Sequence, residues 1–303
     1  MPYNCVVLVK QVPDTKRITV KAMNDDGTVN RSALPAIFNP EDLNALEMAL
    51  EIKDKFGGKV TVITMGLPAA TAVLRDALYR GADEVILITD ARAAASDTLA
   101  TSYILSCAVR QIKYDIVLCG RQAIDGDTAQ VGPQLAEKLN IPQITCVEKP
   151  VELNNRTIIA QRNIGNGWQK IKAALPVLLT VTAEANEPRV AAAKKMMKFK
   201  SAMTAAQVEQ KVKAENPHAS EDEIKELAVQ KCTGLDKKGL LIEQWNLDSL
   251  KADLNWCGRN GSPTKVHRIQ SVVLASKETK TIEPSDAGIT NMIHELIEDK
   301  IIA

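Results

Sequence analysis

Two rhythms of apolar and polar positions alternate along the first half of the chain. Short β-branched runs at Cys5 to Val9, Lys59 to Met65, Glu84 to Thr89, Asp115 to Cys119 and Gln143 to Val147 read as buried strands. Helical spacing separates them. It covers Pro40 to Phe56, closed by Gly57-Gly58, and Pro68 to Arg80, opened by proline and closed at Gly81. It returns over about Ala94 to Ile112 and about Thr128 to Leu139. Strands that are apolar throughout, alternating with helices, predict a doubly wound, mostly parallel α/β sheet of Rossmann-like type, covered on both faces.

After this series the pattern changes. Arg156 to Arg162 alternates, Gly165-Asn166-Gly167 turns, and Trp168 to Lys172 returns, which predicts a hairpin over 156–172. Residues 175–182 form a further buried strand. Beyond Arg189, lysines 194, 195, 198 and 200 interleave with Met196, Met197 and Phe199. A polar helical stretch follows over roughly Thr204 to Lys231, its second part opened by a capping box at Ser220-Glu221-Asp222-Glu223. Gly258 to Pro263 reads as loop and Ser285 to Ile301 as one amphipathic helix. The last third is too polar for its own core. It reads as an arm that docks on another surface. The expected division is an α/β nucleotide-binding domain at 1–190 and a docking and helical segment at 191–303.

Composition narrows the function. Hydrophobic residues make up 45% of the 303 and charged residues 25%, enough for a sizeable core and against global disorder. The 38 basic and 37 acidic side chains leave a net charge of +1, so no basic excess draws nucleic acid. Aromatic residues, at 3%, argue against a base-stacking platform. No apolar run reaches the ~18 residues of a membrane span, so direct membrane insertion is not expected. The N-terminus lacks a basic region and cleavage site and reads as a strand; a cytoplasmic location is expected. Six cysteines (5, 107, 119, 146, 232 and 257) without a CxxC pair fit reduced thiols there. Three scattered histidines argue against zinc. No nucleophile constellation and no acid/base carboxylate pair stands out, which favours a carrier or binding role.

In an open α/β sheet, ligands bind beyond the carboxyl ends of the strands, where the strand order reverses. The segments there are Lys10 to Asp14, Met65-Gly66-Leu67-Pro68 and the long loop from Gly120 to Pro133. Gly120 and Gly126 permit close approach or positive φ. Asp127-Thr128 is expected to cap the next helix, whose free amides and dipole would suit a phosphate or pyrophosphate. The same residues also fit an ordinary polar loop and cap. Neither GxGxxG nor GxxxxGK[ST] occurs, against a dehydrogenase-type Rossmann site or a P-loop. In Asn39-Pro40-Glu41-Asp42, proline starts a helix, Asn39 is its expected cap, and the acids favour the dipole.

Together these segments resemble the β (small) subunit of electron transfer flavoproteins. The resemblance rests on Val9 to Asp14, Asn39 to Asp42, Met65-Gly66, Gly81-Ala82-Asp83 and Gly120-Arg121-Gln122-Ala123-Ile124-Asp125 followed by Gln130. It continues through Leu175-Pro176, Asn186-Glu187-Pro188-Arg189 and Gly261-Ser262-Pro263-Thr264. It implies a heterodimer with an α subunit that holds a redox FAD. The β site holds a structural AMP in housekeeping members and a second FAD, reduced by NADH, in electron-bifurcating ones. The implied site lining is Leu8, Asn39, Pro40, Glu41, Asp42, Met65 with Gly66, and Gln122, Ala123, Ile124, Asp125, Gly126, Asp127, Thr128, Ala129, Gln130, Val131, Gly132 and Pro133. Backbone amides near Asp127 to Ala129 would take the pyrophosphate. Asn39 and Gln122 would meet ribose or adenine, and Arg121 would offer a cation to a reduced flavin or NAD(H).

The loop looks like the bifurcating pattern, because AMP-binding members carry bulkier, more acidic residues at the positions of Gly126 and Thr128. In that pattern electrons pass from NADH to the α-subunit FAD and a flavin dehydrogenase of acyl-CoA or hydroxy-acid type, and to ferredoxin or flavodoxin. Oxidoreductase activity would belong only to the complex. The alternative is a non-bifurcating subunit with AMP that serves an acyl-CoA dehydrogenase. Glu187, Pro188 and Arg189 lead into the family's docking loop, whose anchor leucine falls at Ala193 here; Met196 and Met197 would supply contact instead, or pack as helix core. Asn163 stands where the hairpin is usually acidic. Thr204 to Leu240 is longer than the usual connector, either an added dehydrogenase contact or a solvated insertion.

Overall fold

The computed structural model describes residues 2–14, 35–154, 156–265 and 281–298. The first apolar run forms β1 (Cys5–Leu8). A short antiparallel pair, β2 (Gln11–Pro13) and β3 (Ala36–Phe38), precedes α1 (Pro40–Phe56) and β4 (Val60–Met65). A 3-10 turn over Pro68–Ala70 leads into α2 (Thr71–Arg80), then β5 (Glu84–Ile88), α3 (Thr98–Val109), β6 (Ile116–Gly120) and α4 (Val131–Leu139). Next come β7 (Gln143–Asn154), β8 (Thr157–Asn163), β9 (Trp168–Ala174) and β10 (Val177–Val181). The remaining chain supplies α5 (Ala193–Phe199), β11 (Met203–Thr204), α6 (Ala205–Glu215), α7 (Glu221–Asp236), β12 (Leu241–Trp245), α8 (Gly258–Gly261) and α9 (Asp286–Glu298).

Ten strands form one sheet in the order β11-β12-β5-β4-β1-β6-β10-β7-β8-β9. Pairing is parallel from β11 through β7 and antiparallel only at the β7-β8-β9 edge. The fold is thus doubly wound and mostly parallel. Side chains of β1 show why its run is apolar throughout. Cys5 and Val7 pack with α1 and α2, whereas Val6 and Leu8 pack with α3 and α4. Strand alternation delivers successive residues to two separate helical layers, and both layers are buried and apolar.

Several boundaries differ from the sequence reading, each for a local reason. The helix expected from about Ala94 starts at Thr98, because the Asp97 side chain caps it by accepting from Ala100 N at 2.9 Å. The strand expected over Gln143 to Val147 runs on to Asn154, where it becomes the antiparallel partner of β8. The polar helical stretch is two helices, α6 and α7, each with its own capping box, at Thr204 and Ser220. The loop over Gly258 to Pro263 contains the single turn α8. Short β12, whose LIEQW sequence gives little periodicity, extends the sheet by pairing parallel with β5. The last helix is α9; its expected end at Ile301 lies outside the described residues. No helix of the described residues is long and apolar enough to cross a membrane.

Candidate functional site

From β1 the chain winds outward through β4 and β5, then returns to place β6 on the other side of β1. Strand order therefore reverses between β1 and β6, and the crevice beyond their carboxyl ends is the expected ligand position. The start of α1 and the loop after β6 fill the rim of this crevice.

The first part of that loop is tied down. The Asp42 carboxylate accepts from Lys10 N at 2.8 Å through one oxygen and from Gly120 N at 2.9 Å through the other. It thereby joins the ends of β1 and β6. Gly120 must be glycine, since a Cβ there would lie 2.6 Å from Asp42 Oδ1. Glu41 accepts from Gln122 N at 2.8 Å and pairs with the Arg121 guanidinium at 3.1 Å. Lys10 Nζ meets both oxygens of Asp125 at 2.7 and 2.8 Å. Burial pushes the Asp42 carboxyl up to about 7, although the N–H groups of Gly120 and Lys10 oppose the rise.

Asn39 departs from its expected role. It stands at the N-cap position of α1, but its side chain makes no cap bond. Instead Nδ2 donates to Gln122 O at 2.9 Å and Oδ1 accepts from Ile124 N at 3.1 Å. The side chain is fully buried, so both ends of the amide need partners, and the loop backbone offers one of each kind.

The second part of the loop is open. Asp127 and Ala129 adopt positive φ, at 48° and 53°. Asp127-Thr128 does not cap the next helix. The left-handed residues delay α4 until Val131, Gln130 takes the N-cap position, and no side chain caps it. Asp127 accepts from Gln122 Nε2 at 3.1 Å, and the Gln130 side chain is held by Thr98 Oγ1 at 3.0 Å. Consequently the amides of Thr128, Ala129, Gln130, Val131 and Gly132 donate to no acceptor among the described residues. Pro133 has no N–H to lose. Successive free amides around left-handed residues at a helix start are an arrangement whose donors and dipole suit an anion. Gly132 lets the helix press onto the sheet, for a Cβ there would sit 2.8 Å from Thr180 and 2.9 Å from Cys119. A Cβ on Gly126 would meet nothing within 4 Å, so space lies open beside the amide run.

The structure thus gathers Asn39, Glu41, Asp42, Gln122, Ile124, Asp125 and Asp127 into one bonded cluster. The Ala123 carbonyl closes a turn with the amides of Gly126 and Asp127. Leu8 is buried under the crevice, Val131 packs half-buried on the same core, and Pro40 is exposed at the start of α1. Met65 and Gly66 lie one strand away at the end of β4, where Gly66 N donates to Ile88 O at 3.0 Å. Lys10 and Thr98 belong to this neighbourhood and were missed as site residues. An Asp-Thr pair is an ordinary helix-start signal at 97–98, but pairing with residues 32 to 115 positions away leaves no mark in sequence.

The expected docking residues sit elsewhere. Arg189 is locked inward, its guanidinium bonded to Glu47 at 2.9 to 3.0 Å and to Asp54 at 2.9 Å. Glu187 is exposed, Pro188 half-buried, and Ala193 opens α5. Met196 and Met197 are 43% and 67% exposed and α5 buries no residue, which removes the helix-core alternative for them. Asn163 donates to Glu148 at 2.9 Å, so an acid stands beside it from the neighbouring strand.

Comparison with known proteins agrees with this architecture. A family profile described as electron transfer flavoprotein domain matches residues 26–216. An electron transfer flavoprotein subunit beta from Clostridium acetobutylicum is 37% identical over 300 residues, covering 99% of this chain and 100% of the relative. A protein of the same name from Thermoanaerobacterium thermosaccharolyticum is 52% identical over 186 residues, covering 61% of this chain and 70% of the relative. The acryloyl-CoA reductase electron transfer subunit gamma of Anaerotignum propionicum is 45% identical over 187 residues, covering 60% and 69%. With this architecture and similarity along the full length of a known member, this chain belongs to the electron transfer flavoprotein β-subunit family.

Proposed function

We propose that this chain is the β subunit of a heterodimeric electron transfer flavoprotein that binds FAD beyond β1 and β6 and takes electrons from NADH. The observation that carries the proposal is the run of unpaired amides from Thr128 to Gly132. A pyrophosphate fits such a run, because its charge meets both the N–H groups and the positive end of the α4 dipole. The open space beside Gly126 supports a ligand larger than a mononucleotide. When bound, FAD supplies hydride acceptance and separate release of the two electrons.

The residues of this chain bind and orient. The tethered segment fixes the loop against β1 and β6. Arg121, exposed on its outer side while paired to Glu41, offers the nearest mobile cation for NAD(H) or reduced flavin. With FAD bound, the partners that would receive the electrons are an α subunit with its FAD and a dehydrogenase of acyl-CoA or hydroxy-acid type on one side, and ferredoxin or flavodoxin on the other, in the cytoplasm. The similar acryloyl-CoA reductase subunit supports a CoA-linked partner. Residues 1–190 act as the nucleotide-binding domain, and residues 191–303 as the docking part for the α subunit. The exposed stripe of Ile289, Ile293 and Ile297 along α9 supports that role.

The test is to co-express this chain with its α subunit and count nucleotides after denaturation. Two FAD and no AMP per heterodimer is the expected result. One FAD and one AMP would overturn it and leave a non-bifurcating subunit with structural AMP.

A further inference from the structure

We infer that Ser262 and Thr264 are positioning residues of the nucleotide site, acting through Asp97 and Thr98 on Gln130 at the start of α4. The inference rests on the reading that the amides from Thr128 to Gly132 take phosphate. It gives a task to the Gly261-Ser262-Pro263-Thr264 run, which that reading leaves without one. The run lies far beyond the loop in sequence, yet its side-chain bonds converge on Asp97. Ser262 is buried; its hydroxyl donates to Gly258 O at 2.7 Å and accepts from Asp97 N at 2.9 Å. Thr264 donates twice to Asp97 Oδ2, from its hydroxyl at 2.6 Å and from its N–H at 3.0 Å. The other oxygen of Asp97 accepts from Ala100 N and sets the start of α3. Burial raises the Asp97 carboxyl, but the bonds from Ala100 N and Thr264 outweigh it and hold the group below its ordinary value, as a charged acceptor.

The turn is built to seat there. Gly258 has a φ of 61°, and a Cβ on it would run into the Arg92 carbonyl, while one on Gly261 would run into the Trp256 backbone. Gly258 N also donates to Ser96 Oγ at 3.1 Å. Thr98 follows this clasp directly. Its hydroxyl donates to Gln130 Oε1 at 3.0 Å, and Gln130 is both the N-cap residue of α4 and the middle of the free amide run. The clasp fixes Asp97, Asp97 fixes the first turn of α3, and that turn braces the Gln130 side chain. Gln130 makes no side-chain cap bond within α4, so the brace from Thr98 limits its rotation. A braced turn has less freedom to lose when an anion binds its amides. The docking part of the chain thereby supports the nucleotide site.

The test titrates AMP and adenosine calorimetrically into the full chain with its α subunit, stripped of nucleotide. Thr264 is exposed, so Thr264→Val removes the hydroxyl bond and leaves the core intact, and Thr264→Ser restores a hydroxyl. Thr264→Val and Thr98→Val should each weaken AMP about fivefold, and the double variant by about the same fivefold, because both act along one path. Thr264→Ser should bind AMP as wild type does, and adenosine binding should stay within about twofold in every variant. Should Thr264→Val fail to assemble with the α subunit, Ser262→Ala carries the same comparison. Unchanged AMP binding in Thr264→Val would overturn the inference. So would losses that multiply to about twenty-five-fold in the double variant, or equal losses for adenosine and AMP. Wild type that binds AMP no better than adenosine would instead overturn the phosphate reading, and this inference with it.

Discussion

The two parts of the loop after β6 solve opposite problems with the same backbone. In the segment from Gly120 to Ile124, the amides of Gly120, Gln122 and Ile124 are paired to side chains at the start of α1 and that of Arg121 to a neighbouring strand. From Thr128 to Gly132 they are paired to nothing among the described residues. The first segment is half-buried, where an unsatisfied amide costs about 1–3 kcal/mol. The second is mostly exposed, so water can satisfy its amides. Rigidity on one side and vacancy on the other are what an anion site needs, and a few residues with positive φ divide them.

Breaking the tethered side should have the largest effect. Gly120→Ala drives a Cβ into Asp42 and the α1 backbone, and should cost about 3 kcal/mol in urea unfolding. A cost near zero would mean that the strand end and helix are less tightly joined than the contacts indicate. An effect of comparable size comes from pH. The folded Asp42 value of about 7 lies above the usual carboxylate value. Its contribution to stability is therefore fully present below about pH 4 and is lost as pH rises through about 7, at up to about 1.4 kcal/mol per pH unit. Asp42→Asn should remove that slope from a series of unfolding curves between pH 5 and 8. An identical slope in the variant would place the titration elsewhere.

The open side should respond weakly. Thr98→Val removes the exposed bond to Gln130 and should cost about 0.5 kcal/mol. Gly126 has no positive φ and faces open space, so Gly126→Ala should stabilise by about 0.5 kcal/mol through the unfolded chain. A loss above about 1 kcal/mol would show hidden strain at that position.

The parallel sheet was legible because β1, β4, β5, β6 and β10 are apolar throughout, a pattern that only a doubly covered strand sustains. The same strand ends mark where the candidate site is expected. The function of its residues was less legible. Asn39 carries an ordinary helix-cap signal, and its tertiary use was decided by two backbone groups more than 80 positions away. Asp127-Thr128 also carries that signal, but left-handed backbone at Asp127 and Ala129 moved the helix start. Arg189 is read only as part of the segment leading into a docking loop, and the fold brings Glu47 and Asp54 to it. Local propensity names candidate caps and charges, while long-range pairing decides which of them remain free.

On the proposed function, Thr128 to Gly132 holds phosphate while Gly120 to Ile124 holds the loop. The most direct measurement follows the backbone amides of the 15N-labelled chain during titration with AMP. The amides of Thr128, Ala129, Gln130, Val131 and Gly132 should shift together in one saturable transition, with those of Gln122 and Ile124 nearly still. Shifts at Gln122 and Ile124 with none from Thr128 to Gly132 would contradict the account.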